Sequence, residues 1–193
     1  MDINFILFQN FETLDALGPA ELLGCIEEYR LRFFSREGGA IVSKQGVPVI
    51  TEPFEKMDRG AVALIPGGLG TRPILADPAR IAGLREIASD AGWVLTVCTG
   101  SALLAVTGLI DGKRATTNKN VFDWVTSLNQ NVNWVRQARW QKDGKFYTSS
   151  GVSAGMDMTL DFIADRFSEE KAQAIAAYAE YRWNRNLNDD PFA

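Results

Sequence analysis

Along this 193-residue chain the apolar positions fall into short unbroken blocks that alternate with longer stretches where they recur every three or four residues. Blocks of the first kind suit strands buried on both faces, and stretches of the second kind suit helices laid against such strands. Ile3 to Phe8 is the first block, closed by polar Gln9 and Asn10, and it predicts a parallel strand. A helix opens at Gly18-Pro19, with proline at an early helical position and Leu22, Leu23 and Ile26 as the inward stripe. Tyr29 to Ser35 reads as a second strand, Glu37 to Gly39 as a turn, and Ile41 to Ile50 as an edge hairpin around Gly46. Val62 to Ile65 is the next strand, stopped by the PGGLG run at 66–70, and Asp77-Pro78 starts a helix that runs to about Ala91. Trp93 to Val97 predicts a further buried strand that passes directly into Cys98-Thr99-Gly100-Ser101, after which Ala102 to Val106 is helical.

The second half continues the alternation. Ala115 to Thr117 is short and extended, Val121 to Leu128 is helical, and Val135 to Gln141 with Phe146 to Ser149 reads as a hairpin through Asp143-Gly144. Ala154 to Phe167 is helical, and Ser168 caps a last helix through Trp183, with Glu169 and Glu170 in its first turn. The tail from Asn184 onward reads as an irregular polar extension. With no linker or repeat, the pattern predicts one α/β domain over 1–193: a three-layer sandwich whose mainly parallel sheet carries helices on both faces.

Composition changes the picture mainly by what it removes. Hydrophobic residues make up 46% and charged residues 23%, ordinary for a globular domain, but there is no histidine. That excludes a Ser-His-Asp triad, a Cys-His dyad and every histidine-containing zinc site. The formal charge of -4 comes without a basic run, so nucleic acid is not expected as a direct partner. The start lacks the positive region of a signal peptide, no segment approaches the ~18 apolar residues of a membrane span, and two cysteines make no disulfide framework. The expectation is a cytoplasmic protein with reduced thiols, without metal or cofactor, acting on a small molecule.

Ligands of open α/β sheets sit beyond the carboxyl ends of the strands, where Asp15, Gly67-Gly68 and Cys98 all fall. Cys98 lies between an apolar strand and a small-residue helix. As an elbow residue it would present its sulfur at the edge of a pocket, with the helix start lowering the thiol pKa; as a plain buried cysteine it would only pack. Gly67 and Gly68 let backbone amides approach a substrate, or simply make a turn. Asp15 in its loop is a site carboxylate, or else a solvated charge or a helix-start carboxylate. Cys25, beside Leu22 and Ile26, reads as core. Trp124, Trp134, Trp140 and Trp183 read as packing, and Asp189-Asp190 as a solvated end.

Taken together, FETLDALGPAELL (11–23), IPGGLGTRP (65–73), WVLTVCTGSALLAVTGLIDGKRATTNK (93–119) and SSGVSAGMDMTLDFIADRF (149–167) match the ThiJ/PfpI superfamily in order and spacing. The resemblance covers nearly the whole chain. It implies a flavodoxin-like fold similar to that of class I glutamine amidotransferases, and a homodimer. The C-T-G elbow at Cys98, Thr99 and Gly100, with an Asp rather than Glu before G-P, resembles the isocyanide hydratase branch and the amidase-like domains of AraC-type regulators. A stand-alone form, without the helix-turn-helix segment those regulators add, is the expectation. By this resemblance Cys98 is the nucleophile of a hydro-lyase that turns an isocyanide and water into an N-substituted formamide. Asp15 is its acid and base, and the amides of Gly68 and Thr99, with Gly67 and Gly100 beside them, orient the bound species. Two departures sharpen this. Asn118 stands where many members carry a histidine, and Asp15 where deglycase and glyoxalase-like branches use Glu, so amidase, protease and glyoxalase chemistry recede. The alternative within the superfamily is a redox-responsive or ligand-binding thiol protein using the same Cys98 and Asp15.

Overall fold

A computed structural model describes residues 1–193. Its centre is an eight-stranded sheet built from β1 (Asp2–Ile6), β2 (Arg30–Ser35), β3 (Glu37–Val42), β4 (Pro48–Pro53), β5 (Val62–Ile65), β6 (Trp93–Thr96), β9 (Trp140–Asp143) and β10 (Phe146–Ser149), in the order β3-β4-β2-β1-β5-β6-β10-β9. The six inner strands run parallel, and only the edge strands β3 and β9 are antiparallel to their neighbours. A two-stranded ribbon of β7 (Arg114–Ala115) and β8 (Asn133–Trp134) lies apart from it. Every residue of β1, β5 and β10 is buried, as unbroken apolar blocks in a doubly covered parallel sheet require.

Two helix groups pack among themselves: α1 (Thr13–Leu23), α6 (Ala154–Arg166) and α7 (Glu169–Tyr178), and then α2 (Thr71–Leu75), α3 (Pro78–Asp90), α4 (Gly100–Val106) and α5 (Phe122–Leu128). Several starts follow the sequence signals. Asp77 accepts hydrogen bonds from the amides of Ala79 (3.0 Å) and Arg80 (3.2 Å), and Ser168 from Lys171 (3.2 Å).

Five expectations are corrected. Helix α1 begins at Thr13 rather than Gly18, with Pro19 inside it, so Asp15 sits in the helix's first turn, as a helix-start carboxylate would, and not in a loop. Gly18 is there because a Cβ would stand 2.9 Å from Met156 of α6. Glu37 to Gly39 opens β3 instead of turning, since Gly38 and Gly39 take positive φ within the pairing to β4. Val135 to Arg139 is irregular, leaving β9 only from Trp140. The last helix ends at Tyr178, after which Glu180 takes φ 47° and the chain turns. The tail is not a free extension either: Asp190 is 2% exposed.

Candidate active site

Strands β1, β5 and β6 are neighbours, so the three loops beyond their carboxyl ends lie side by side, with glycines permitting the approach. Gly67 sits where a Cβ would fall 2.5 Å from the Thr99 nitrogen and 3.0 Å from the Asp15 carboxylate. Gly68 adopts φ 117°, and a Cβ there would meet the Glu12 nitrogen at 2.5 Å. The first two loops are stitched by Glu12 N–H to Gly67 O (2.8 Å) and Gly70 N–H to Asn10 O (3.2 Å). Close under the third, Gly100 lies where a Cβ would strike the Ile65 carbonyl at 2.3 Å.

Cys98 forms a strained elbow with φ 57°, a left-handed backbone that L-residues other than Asn and Asp rarely take. The strain is held by its surroundings: Cys98 N–H donates to Ser150 O (3.1 Å), and its carbonyl accepts from the hydroxyls of Thr117 (3.1 Å) and Ser101 (2.9 Å). The sulfur accepts a hydrogen bond from Asn118 Nδ2 at 3.1 Å, and the backbone amides of Thr99 and Val152 face it. Val152 is itself left-handed at φ 38°, a conformation that is an outlier for a β-branched residue.

Asp15 is fully buried beside this sulfur. Its Oδ2 accepts the Gly67 amide at 2.9 Å, while Oδ1 has no partner within the protein. Burial, opposed by the Gly67 amide and the Cys98 thiol and reinforced by the Glu12 charge, raises the Asp15 carboxyl to about 7. The helix-start amide of Thr99 does lower the thiol pKa, as expected, but it is outweighed. Burial and the Asp15 charge outweigh the Thr99 amide, the Asn118 amide and the Val152 amide, and the Cys98 thiol is pushed up to about 12. Each group is among the causes of the other's shift, so the two titrate as a coupled pair.

The glycine amides differ from expectation too. Gly67 N–H is committed to Asp15, Gly68 N–H to Thr99 Oγ1 (3.0 Å) and Gly100 N–H to Val97 O (2.9 Å), so none is a free donor to a substrate. Gly67 and Gly68 instead position the acid and the Thr99 hydroxyl. The donors that do face the sulfur are Thr99, Val152 and Asn118.

With this geometry in view, the sequence profile of the DJ-1/PfpI family matches residues 1–165. The chain belongs to that family. An isonitrile hydratase from Pseudomonas putida is 30% identical over 182 residues, covering 94% of this chain and 78% of that one. The HTH-type transcriptional regulator CdhR of Pseudomonas aeruginosa is 27% identical over 182 residues, 91% of this chain, and the chain spans 53% of that regulator's length. Among solved structures, a ThiJ/PfpI family protein from Pseudomonas syringae superposes with a TM-score of 0.85 at 24% identity, covering 97% of this chain and 77% of that one. Drosophila melanogaster DJ-1beta superposes at 0.78 with 21% identity, covering 94% of this chain and 98% of that one; both likenesses speak for the fold.

The other sequence candidates take plainer places. Cys25 lies just past α1, half-buried at the margin of the core rather than within it. Trp140 is fully buried, Trp124 lies under the Arg72 guanidinium (4.6 Å), and Trp134 and Trp183 donate to the carbonyls of Asn129 (3.0 Å) and Asp157 (3.2 Å). No three Cys, Asp or Glu side chains gather where they could hold a metal ion, and no helix is long and apolar enough to cross a membrane. Ser150 and Val152 lie in the SSGVSAG segment that carried part of the resemblance, but their role at the sulfur went unassigned because it depends on a backbone loop from a distant strand. Asn118 carried a signal, its place in the ATTNK segment.

Proposed function

We propose that this protein is a cysteine-dependent hydro-lyase of the isonitrile hydratase type, adding water to R–N≡C to give R–NH–CHO. The observation that carries the reading is the pairing of Asp15, buried with one unpartnered carboxylate oxygen, with the Cys98 sulfur in a chain that has no histidine. The 30% identity to an isonitrile hydratase supports it. A carboxyl that titrates near 7 beside a thiol that keeps its proton suits a reaction that begins and ends with a neutral thiol.

In the first half, the thiol proton passes to Asp15 as the sulfur attacks the terminal carbon of the isocyanide. Asp15 returns the proton to that carbon, leaving the thioimidate R–N=CH–S–Cys98. Water then adds to the same carbon, Asp15 taking its proton and delivering it to nitrogen. The C–S bond breaks, the formamide departs, and the sulfur recovers its proton from the new hydroxyl through Asp15. Asn118 and the amides of Thr99 and Val152 stabilise negative charge on sulfur when it attacks and when it leaves. An uncharged substrate needs no cationic clamp.

The test follows formamide production from a panel of alkyl and aryl isocyanides. Wild-type protein is expected to turn over, Cys98→Ala to be inactive, and Asp15→Asn to lose roughly 10²- to 10⁴-fold in kcat. No turnover across the panel sinks the reading, and turnover surviving in Cys98→Ala sinks the nucleophile. If turnover is absent and mild peroxide adds two oxygens to Cys98 by intact mass, the thiol serves a redox role instead.

A further inference from the structure

Asn118, Ser150, Gly151, Val152, Ser153 and, from the far end of the chain, Phe192 are among the residues that line one cleft, which borders the groups packed around Cys98. Two of its walls are groups that touch the sulfur: the Asn118 side chain and the Val152 backbone. Phe192 is different in kind. It is 72% exposed, a large apolar ring held out in water at the mouth of a polar cleft.

Its position is fixed from beneath. The Phe192 amide donates to Asp190 Oδ1 at 3.1 Å. The other oxygen of Asp190 lies 3.5 Å from Lys119 Nζ, with both side chains almost wholly buried. Lys119 is held in turn by Thr116 Oγ1 (2.7 Å), Ala138 O (2.8 Å) and Thr117 O (3.2 Å). The Arg139 amide donates to Leu187 O (2.7 Å), a second tie on the same segment. A buried ion pair is costly, and the hydrogen bonds that Lys119 makes help offset the cost of holding the segment in place. Lys119 directly follows Asn118, so the anchor of the tail and the donor to the sulfur share one short loop.

We infer that Phe192 is the specificity-determining residue of the Cys98 cleft, giving its apolar face to the substituent of the molecule that the sulfur attacks, and that Asp190 is the positioning residue that holds it there. The class of ligand favoured is an electrophile with an aryl or bulky alkyl group over one with a methyl group. For the substrate itself this rests on the isonitrile hydratase reading. The placement of Phe192 in the cleft that Asn118 and Val152 also line applies to any electrophile that reaches the sulfur.

Two readouts separate those levels. In the first, site-resolved mass spectrometry follows alkylation of Cys98 by N-phenylmaleimide and N-methylmaleimide. The phenyl-to-methyl rate ratio is expected to fall roughly three- to tenfold in Phe192→Ala, to fall likewise in Asp190→Ala, and to be retained in Phe192→Trp. Phe167→Ala, which removes another exposed phenylalanine, packed edge-on against Tyr29, leaves the ratio unaltered. In the second, kcat/KM for phenyl isocyanide relative to methyl isocyanide shifts by a similar factor in the same variants, chiefly through KM. An unchanged maleimide ratio in Phe192→Ala overturns the inference whatever the enzyme turns over. A changed maleimide ratio without any isocyanide turnover upholds Phe192 and removes the hydratase reading alone.

Discussion

Two aspartates, Asp15 and Asp157, are equally and completely buried, yet the fold treats them in opposite ways. Asp157 of α6 accepts from Arg139 Nε at 2.6 Å, from Tyr181 Oη at 3.0 Å and from the Asn184 amide at 2.9 Å. Asp15 accepts from one backbone amide and keeps an empty oxygen. Burial raises both carboxyls, but at Asp157 the Arg139 guanidinium leads a set of donors that pulls back, while at Asp15 the Glu12 charge adds to the rise. Donor count rather than burial therefore separates the two. A carboxylate with a full set of donors is a cross-link, here joining β9's approach to the segment after α7. One with an empty oxygen keeps the capacity to take and give a proton.

The largest effect expected from that contrast is on stability at the satisfied site. Asp157→Asn removes the charge that balances buried Arg139 and is expected to cost about 3–5 kcal/mol, because an unpaired guanidinium is left in the interior. Urea unfolding with a fixed slope and a lowered midpoint measures it. A loss below about 1 kcal/mol would show that Arg139 finds water on its own, and the description of Asp157 as a cross-link would fail.

Asp15→Asn is expected to move stability the other way, and only above acid pH. The native carboxyl titrates near 7 and the unfolded one near its ordinary 3.8. A raised native value means that the stability contributed by the protonated group is fully present below about pH 4 and is lost as pH rises to about 7. The neutral amide of Asn does not suffer that loss. The variant should match wild type near pH 4 and exceed it by an amount on the order of a few kcal/mol at pH 8, read as a growing difference in thermal midpoint. Equal destabilisation at both pH values would mean that Asp15, like Asp157, is a structural acid. Lower activity together with higher stability at pH 8 is the signature of a group retained for chemistry.

The contrast also marks how far the sequence could be read. Ile3 to Phe8, Val62 to Ile65 and Trp93 to Val97 announce β1, β5 and β6 because strands buried on both faces need unbroken apolar runs, and their loops then bring Asp15, Gly67 and Cys98 together. The helix starts at Asp77 and Ser168 were legible from local capping chemistry. What was not legible depends on distant backbone. Pro19 suggests a helix start, but α1 accommodates it in its interior, which places Asp15 in a buried first turn. The commitment of the Gly67 and Gly68 amides to Asp15 and Thr99, and the left-handed Val152 over the sulfur, are tertiary facts with no local pattern. Asp190 is the plainest case. An acidic pair in a polar tail reads as solvated, and only the fold supplies the buried Lys119 that contradicts it.

The smallest effect belongs to Asn118, the neutral donor on the sulfur. Its Nδ2 hydrogen bond lowers the thiol pKa against burial and the Asp15 charge, without adding a charge or a proton of its own. Truncation in Asn118→Ala should raise the Cys98 pKa further, reduce the thiolate present at a given pH and slow alkylation by iodoacetamide roughly three- to tenfold, as for one hydrogen bond to a charged acceptor. Because the same side chain caps the following turn through Asn120 N–H (2.9 Å), a thermal melt accompanies the measurement to separate a loosened loop from a weakened thiolate. A pH profile of alkylation displaced upward at unchanged limiting rate is the outcome expected of a donor that acts on the sulfur alone. An unshifted profile with a lower limiting rate would place Asn118 on the loop side of the comparison, among the groups that hold the elbow rather than tune it.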